Sequence, residues 1–498
     1  MADTQENTQA QAGAATAQIS DFEVLLNKQF NPQTDTAKRE VESAVRTLAQ
    51  QALASTPLIS TDVVQSIEAM TAAIDRKLSE QINAIMHHPD FQQLEGTWRG
   101  LHHLVCNSET DDMLKIRVLN VSKKDLHKTL KRFKGVAWDQ SPVFKKLYEE
   151  EYGTLGGEPF GCLVGDYYFD HGPQDVELLG EMAKIAAAGH APFLAAASPT
   201  VFQMESWQEL SNPRDLTKIF QIPEYAGWRS LRDSDDARYI GLTMPRFLAR
   251  RPYGAKTNPV EAFDFEEDAN GPDARKYTWA NSAYAMAVNI NRSFKLYGWC
   301  SRIRGIESGG DVQGLPTHTF PTDDGGVDLR CPTEIAISDR REAELAKSGF
   351  MPLVYKKNTD FAAFIGAQSL HKPAQYDDPD ATSNAALAAR LPYLFATCRF
   401  AHYLKCIVRD KIGSFKEAAD MQRWLQNWIV QYVDGDPAHS SEATKARKPL
   451  AAAEVIVEPV EGNPGYYASK FFLRPHYQLE GLTVSLRLVA KLPSAKAA

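Results

Sequence analysis

The sequence predicts a mixed α/β and α+β fold with a helical N-terminal region, an α/β middle domain and a C-terminal domain of helices followed by strands. Three observations predict it. Apolar residues recur three and four positions apart along residues 61–105, which is typical of amphipathic helices. From residue 160, short apolar runs alternate with helical runs, as in an α/β domain. Near the C-terminus, residues 482–488 alternate apolar and polar side chains, as a half-buried strand does.

The first 60 residues predict a disordered tail and an arm. Residues 1–18 are rich in Ala, Gln and Thr and hold almost no large apolar side chain, which favours disorder. The arm, residues 19–60, begins with SDFEVLLNKQF, where Ser20 and Asp21 predict a helix cap and Phe22, Leu25 and Leu26 share one face. Such a short helix either docks on its own subunit or serves as a contact for a partner.

Residues 61–110 predict two helices in series. Thr61 and Asp62 cap the first, which has apolar residues on one face over about seven turns and ends before Pro89. The second carries another apolar stripe, formed by Phe91, Leu94, Trp98, Leu101 and Val105. Two such stripes predict helices that pack against other helices, of this chain or of another.

Four histidines in this region, in HHPDFQQLEGTWRGLHHLV, suggest a metal site at first sight. Adjacent helical residues point about 100° apart, so neither His-His pair can chelate one ion. The i, i+4 spacing of helical zinc ligands is missing. Since Glu95, Arg99 and His103 share one face, we interpret them as the polar side of the second helix.

The middle domain is predicted over residues 111–372. Its strands are GCLVGDYYF, APFLAAAS, ARYIGLTM, TEIAIS and FMPLVY, and its clearest helices are DVELLGEMAKIAAAGH and WANSAYAMAVNINRSF. The end of the first strand holds Asp166, Asp170 and His171, either a catalytic cluster or simply a turn. No glycine-rich phosphate loop and no nucleophile elbow is present in the sequence.

The C-terminal domain, residues 373–498, follows the Pro- and Asp-rich boundary HKPAQYDDPDATS. Its first predicted helix, AALAARLPYLFATCRFAHYLKCIVRDKI, carries a basic row of Arg399, His402, Lys405 and Arg409. The row is either a solvated polar face or a docking row for an acidic partner. If the row docks a partner, replacing it by Glu is expected to leave folding intact and to abolish the docking.

A second helix, EAADMQRWLQNWIVQYV, precedes three closing strands. In the last strand, Leu482, Val484, Leu486 and Leu488 point to one face. Because an unpaired strand edge is a liability, we expect another subunit to pair with these strands.

Composition excludes several classes of protein. The formal net charge of −8 argues against a general nucleic-acid binder. No stretch approaches 18 apolar residues, so we expect no membrane insertion. Six scattered cysteines predict reduced thiols rather than a disulfide framework. The first residues lack the basic start and apolar core of a signal peptide, so we expect a cytoplasmic protein.

Several long segments resemble one known family. HPDFQQLEGTWRGLHHLV, LKIRVLNVSKKDL, GEPFGCLVGDYYFDH, NPRDLTKIF and GYYASKFFLRPHYQLEGLTVSLRLVAKLP are similar to the large subunit of the type VI secretion contractile sheath, the TssC or VipB family. The resemblance runs from about residue 20 to the C-terminus. It implies a phage-tail-sheath-like architecture and a structural protein with no catalytic residues, cofactor or metal.

The resemblance also implies partners. Members of this family pair with a small sheath subunit (TssB or VipA), assemble helically with copies of themselves around a tube of Hcp, and contract to drive the tube and spike outward. The other partners that the resemblance implies are a baseplate and the AAA+ ATPase ClpV, which disassembles the contracted sheath. Residues 61–110 are then expected to pack with the small subunit.

Three sets of contact residues follow from the resemblance: Ile19, Phe22, Leu25 and Leu26 for the ATPase; Arg399, His402, Lys405 and Arg409 for the inner tube; and Leu482, Val484, Leu486 and Leu488 for the sheath core. One rival hypothesis is a cytosolic α/β enzyme that uses Asp166, Asp170 and His171. Another is a phage-tail or pyocin sheath, which is usually a single self-sufficient polypeptide.

Overall fold

The computed structural model describes residues 63–478, apart from 213–214, 270, 272, 323, 412–417 and 461–466, and five earlier positions between residues 36 and 47. The predicted disordered tail, the helix expected after residue 19 and the strand expected at 482–488 lie outside the described residues.

The helices confirm most of the helical predictions. In chain order they are α1 Val63–Met86, α2 Pro89–Cys106, α3 Lys123–Arg132, α4 Pro142–Phe144, α5 Pro173–Gly189, α6 Leu216–Ile219, α7 Ala226–Asp233, α8 Ser282–Tyr297, α9 Asp339–Lys347, α10 Pro379–Ala388, α11 Leu391–Lys411, α12 Ala418–Val430 and α13 Glu442–Arg447. Local sequence sets their ends. The side chain of Asn281 caps α8 by accepting from the Ala283 amide at 2.9 Å, and Gly298, at φ +79°, ends it.

The strands, in chain order, are β1 Leu163–Phe169, β2 Phe193–Ala197, β3 Ile240–Met244, β4 Phe247–Leu248, β5 Trp279–Ala280, β6 Asp311–Val312, β7 His318–Pro321, β8 Val327–Arg330, β9 Phe350–Tyr355, β10 Ala362–Phe364, β11 Leu450–Pro459 and β12 Tyr467–Pro475. The main sheet has six strands in the order β1-β2-β3-β9-β10-β6. Its first four strands run parallel, and β10 and β6 are antiparallel. The predicted α/β character of this region is therefore confirmed.

Two predictions of secondary structure are wrong. TEIAIS, residues 333–338, is not a strand, because β9 takes the place beside β3 in the sheet. Its backbone instead makes single contacts: Thr333 forms an isolated bridge with Phe247, and the Glu334 amide donates to the Arg246 carbonyl at 3.0 Å.

The single helix predicted before residue 412 is two helices, α10 and α11. The chain between them bonds elsewhere: the Ser369 amide donates to the Ala389 carbonyl, and the Leu391 amide donates to the Ala367 carbonyl, each at 3.1 Å. Pro392 then lies in the first turn of α11, where its missing N–H costs no helical bond.

The chain divides into two compact units. In the described part of the chain, one unit comprises residues 63–96, 249–279 and 317–330, and holds α1, the start of α2 and the β7–β8 hairpin. Gly96 permits close packing inside this unit, because a Cβ atom there would lie 2.3 Å from the carbonyl oxygen of Trp279.

The other unit comprises residues 97–248, 280–316 and 331–478 of the described chain. Its core surrounds the six-stranded sheet, with Trp207, Tyr225, Trp228 and Phe350 fully buried. A second cluster in this unit joins α11, α12 and the β11–β12 pair through Phe400, Leu425, Ile429 and Val455. Both compact units are discontinuous in sequence, and the predicted domain boundaries at residues 110 and 372 stay predictions.

Candidate assembly surfaces

The residues proposed for the enzyme hypothesis take separate local roles. The carboxylate of Asp166 accepts hydrogen bonds from the side chains of Thr97 and Asn281, while burial raises its pKa. Asp170 accepts from the Gly172 amide at 2.7 Å, which is the turn chemistry expected after a strand. The geometry does not direct the two carboxylates at one reacting atom.

The imidazole of His171 stacks on Tyr225 with ring centres 4.3 Å apart. Beside it lies an open cavity of about 360 Å³, lined by neither Asp166 nor Asp170. Four of its charged lining residues pair with each other: Lys134 bonds to Glu177 at 2.6 Å, and Lys184 bonds to Glu181 at 2.8 Å. The three proposed residues thus make their contacts with different neighbours, and a catalytic role for them gains no support from this cavity.

The α2 histidines pack or pair locally. His103 packs against Phe247 with the rings tilted and their centres 5.0 Å apart, and burial lowers the pKa of His103 to about 4. His102 lies 3.3 Å from the sulfur of Cys106, one turn further along the helix. Across the described ranges, no group of three or more His, Cys, Asp and Glu side chains is placed to hold a metal ion.

The basic row of α11 is not the open face that the sequence suggested. His402 is buried, and its Nε2 atom hydrogen-bonds the Gly189 carbonyl at 2.8 Å. Burial lowers the pKa of His402 to about 4, so the imidazole is neutral at pH 7. Arg399 lies over the ring of Tyr403, 4.9 Å from its centre.

The other two cations of this row bind the segment before β1. Lys405 Nζ lies 3.7 Å from the centre of the Tyr152 ring and 2.9 Å from the Tyr148 hydroxyl. Arg409 donates to the carbonyls of Tyr152 and Thr154, at 2.8 and 2.7 Å. The expectation that Glu substitutions here leave folding intact is therefore wrong, because these contacts are internal. Contact with an inner tube through this row stays a prediction.

The α2 helix exposes its apolar stripe. Large side chains three, four and seven residues apart stand on one side of the helix: Phe91, Leu94, Trp98 and Val105. Trp98 is 64% exposed and Leu94 is 56% exposed. Exposed Trp is characteristic of partner contacts rather than of free surface. We call these four residues the α2 row.

A two-stranded antiparallel ribbon is formed by β11 and β12. Val455 and Val457 bury one face of it against α12, while Phe472 stands 55% exposed. A lone two-stranded ribbon is marginal in water, so further pairing or packing is expected. One feature here that the sequence reasoning missed is a pair of glutamines, Gln422 and Gln426, which bond to the backbone of β11. The signal for them was their i, i+4 spacing, which puts both amides on one side of α12.

The remaining predicted contacts, Ile19, Phe22, Leu25, Leu26, Leu482, Val484, Leu486 and Leu488, lie outside the described residues. Among the helices that are described, none is long and apolar enough to cross a membrane.

Comparison with protein families decides the class of this chain. Residues 68–371 match the VipB model, described as the EvpB/VC_A0108 tail sheath N-terminal domain. Residues 380–492 match the VipB_2 model, described as the EvpB/VC_A0108 tail sheath gpW/gp25-like domain. The chain belongs to the VipB tail sheath family.

A curated relative agrees with this assignment. The chain is 77% identical, over all 498 residues of both proteins, to the type VI secretion system sheath protein TssC1 of Pseudomonas aeruginosa. The resemblance to the large sheath subunit of type VI secretion is thereby confirmed, and the chain is a sheath subunit.

Solved structures give weaker similarities. The anti-feeding prophage baseplate matches with a TM-score of 0.37 and 10% identity, covering 76% of this chain and 84% of that one. The contracted sheath of the extracellular contractile injection system PVC matches with a TM-score of 0.31 and 10% identity, covering 62% and 68%. Similarity at this level supports no statement about function.

Proposed function

We propose that this chain is the large subunit of a type VI secretion contractile sheath, which pairs with a small sheath subunit and polymerises helically around an inner Hcp tube. Contraction of that sheath would propel tube and spike into a target cell. The observation that carries the proposal is the full-length 77% identity to a sheath protein. We further propose that it works in the bacterial cytoplasm without catalysing a reaction of its own.

The α2 row supports the pairing step. Four large apolar side chains at positions i, i+3, i+7 and i+14 lie on one face of α2 and give a partner the kind of anchors used in helix-in-groove binding. We assign this surface to the small subunit. Strand pairing through the ribbon and through Leu482, Val484, Leu486 and Leu488 would then link subunits within the sheath.

Two further partners belong to the cycle. A baseplate would nucleate the assembly, and the ClpV ATPase would disassemble the contracted form through a helix containing Ile19, Phe22, Leu25 and Leu26. Energy for contraction would be stored as the difference between two packings of the same surfaces. Asp166, Asp170 and His171 gain no support as a catalytic site from their geometry.

Electron microscopy of the chain expressed with its small subunit, and of the chain expressed alone, tests the proposal. We expect hollow tubules with ridged walls in the co-expressed sample alone. Discrete soluble particles of the same size with and without the partner would contradict it. They would return attention to the enzyme hypothesis.

A further inference from the structure

One edge of the β11–β12 ribbon is already occupied by side chains. The Val455 amide donates to Gln426 Oε1 at 2.9 Å, and Gln426 Nε2 donates to the Ala453 carbonyl at 3.1 Å. The Val457 amide donates to Gln422 Oε1 at 3.2 Å. Both glutamines belong to α12. Their amide groups thus make on β11 the hydrogen bonds that the backbone of a neighbouring strand would make.

The spacing of the two elements explains the fit. Gln422 and Gln426 are four residues apart, which is about 6 Å along a helix. Val455 and Val457 are two residues apart, which is about 6.7 Å along a strand. A helix lying beside the strand can therefore present one amide to each outward-facing backbone position.

The register shows which backbone groups of β12 face away from β11. Because Ala453, Val455 and Val457 direct their backbone groups to α12, the alternate residues of β11 face β12. Those residues pair with alternate residues of β12, as in Glu454 with Phe472 and Ile456 with Lys470. The outward backbone groups of β12 are consequently those of Ser469, Phe471 and Leu473. Within the described residues, no backbone hydrogen bond reaches this edge.

We propose that Gln422 and Gln426 guard the β11 edge: they substitute for a strand on that side, so that an incoming strand cannot pair with β11 there. An open strand edge is a template for unwanted pairing, and natural sheets block such edges. A ribbon with two open edges could pair with two chains at once, before sheath geometry sets the register. The inference rests on the proposed function only in taking strand pairing as part of sheath assembly.

Hydrogen exchange, read residue by residue by mass spectrometry with electron-transfer fragmentation, tests the guard directly. The sample is the full chain co-expressed with its small subunit, using the unpolymerised fraction left after sheaths are sedimented. We expect the Val455 and Val457 amides to exchange at least tenfold more slowly than the same amides would in an unfolded chain. Exchange of these two amides at the unfolded-chain rate would overturn the proposal.

A double variant separates the guard from packing. Gln422→Met with Gln426→Met keeps the side-chain length and removes both amide groups. The control is Asn427→Leu, which removes a side-chain amide at an exposed position of the same helix. The double variant should exchange at Val455 and Val457 at least tenfold faster than the parent, and Asn427→Leu should not. Unchanged rates in the double variant would refute the guard.

A second measurement reads the consequence for assembly and does not need an unpolymerised fraction. In the pelleted material, the double variant should give fewer tubules and more irregular aggregate than the parent, while Asn427→Leu should match the parent. Tubules at parental yield in the double variant would contradict the guard. Absence of tubules in the parent would instead contradict the proposed function and leave the exchange result to stand by itself.

Discussion

A buried charge cluster in the unit that contains α1 should control the stability of that unit. The guanidinium of Arg250 lies between two carboxylates, 2.6 Å from Glu95 on one side and 2.6 Å from Glu267 on the other. Glu95 also accepts from the Thr278 hydroxyl at 2.9 Å, and Glu267 accepts from the Tyr253 amide at 2.8 Å. The perturbation is Arg250→Met, which keeps the length of the side chain and removes its charge.

The expected cost follows from burial. The side chains of Arg250, Glu95 and Glu267 are 6%, 12% and 1% exposed. Removing one partner of a buried ion pair costs about 3–5 kcal/mol, because the remaining charge is left without compensation. Here two carboxylates would remain, so Arg250→Met should lower the free energy of local unfolding by about that amount. A second change, Glu267→Gln, should restore part of it by removing one of the two charges.

Hydrogen exchange of the Ala249 and Glu267 amides measures this local free energy. Both amides bond inside the unit, to the carbonyls of Thr278 and Tyr253. A loss of about 3–5 kcal/mol should speed their exchange by a factor of roughly 150 to 5,000 where exchange follows local opening. The matched control is Arg275→Met, which breaks the surface pair with Asp273 and should change little.

Two results would refute this reasoning. If Arg250→Met accelerates exchange no more than Arg275→Met, the cluster does not hold the unit together. If Glu267→Gln added to Arg250→Met gives no recovery, the cost comes from lost packing rather than from uncompensated charge. Recovery at a pH low enough to protonate the carboxylates would support the electrostatic account.

Three further predictions concern pairing, pH and recycling. Trp98→Ala should weaken binding of the small subunit by up to about 4 kcal/mol, the value for burying about 160 Å² of indole surface, and co-purification measures the loss. Leu296→Ala, at another exposed apolar position, is the control. Equal retention of the partner by both variants would show that the α2 row is not part of the interface. Because the pKa of His402 is lowered to about 4, the unfolded chain binds more protons below pH 6.5, and acidification from pH 7 to 5 should cost about 2 kcal/mol through this residue. His402→Gln, which can still donate to the Gly189 carbonyl, should reduce the shift in urea midpoint between these two pH values, and an undiminished shift would show that other groups cause it. Deleting residues 1–30 should spare tubule formation and block ATPase-driven disassembly, measured by turbidity loss with purified ATPase and ATP; normal disassembly would show that the ATPase binds elsewhere.

The periodic parts of this fold could be predicted from sequence, because their period is set by local geometry. Val63–Met86 and Pro89–Cys106 show the 3–4 spacing of helices, and Phe193–Ala197 and Phe350–Tyr355 read as buried parallel strands. The TEIAIS segment likewise contains a short run of apolar residues, Ile335 to Ile337. It fails to form a strand because β9 occupies the position beside β3 in the sheet. That pairing depends on tertiary contacts rather than on local sequence.

Contacts between distant residues account for the rest. Arg250 and Glu95 are 155 residues apart, and no local pattern relates them. The basic row of α11 reads as a surface because its charges lie on one helical face, yet His402 and Lys405 meet residues more than 200 positions earlier. Helical periodicity indicates which side chains share a face, and only the fold decides whether that face meets water, a partner or its own chain.

The exposed α2 row also bears on how the protein is made. Until a partner covers Trp98 and Leu94, a newly synthesised chain has an exposed apolar surface of the kind that chaperones bind and proteases recognise. We therefore expect the lifetime of the chain in the cell to depend on the supply of its partner. Unequal synthesis of the two subunits would then be corrected by degradation of whichever chain is left alone.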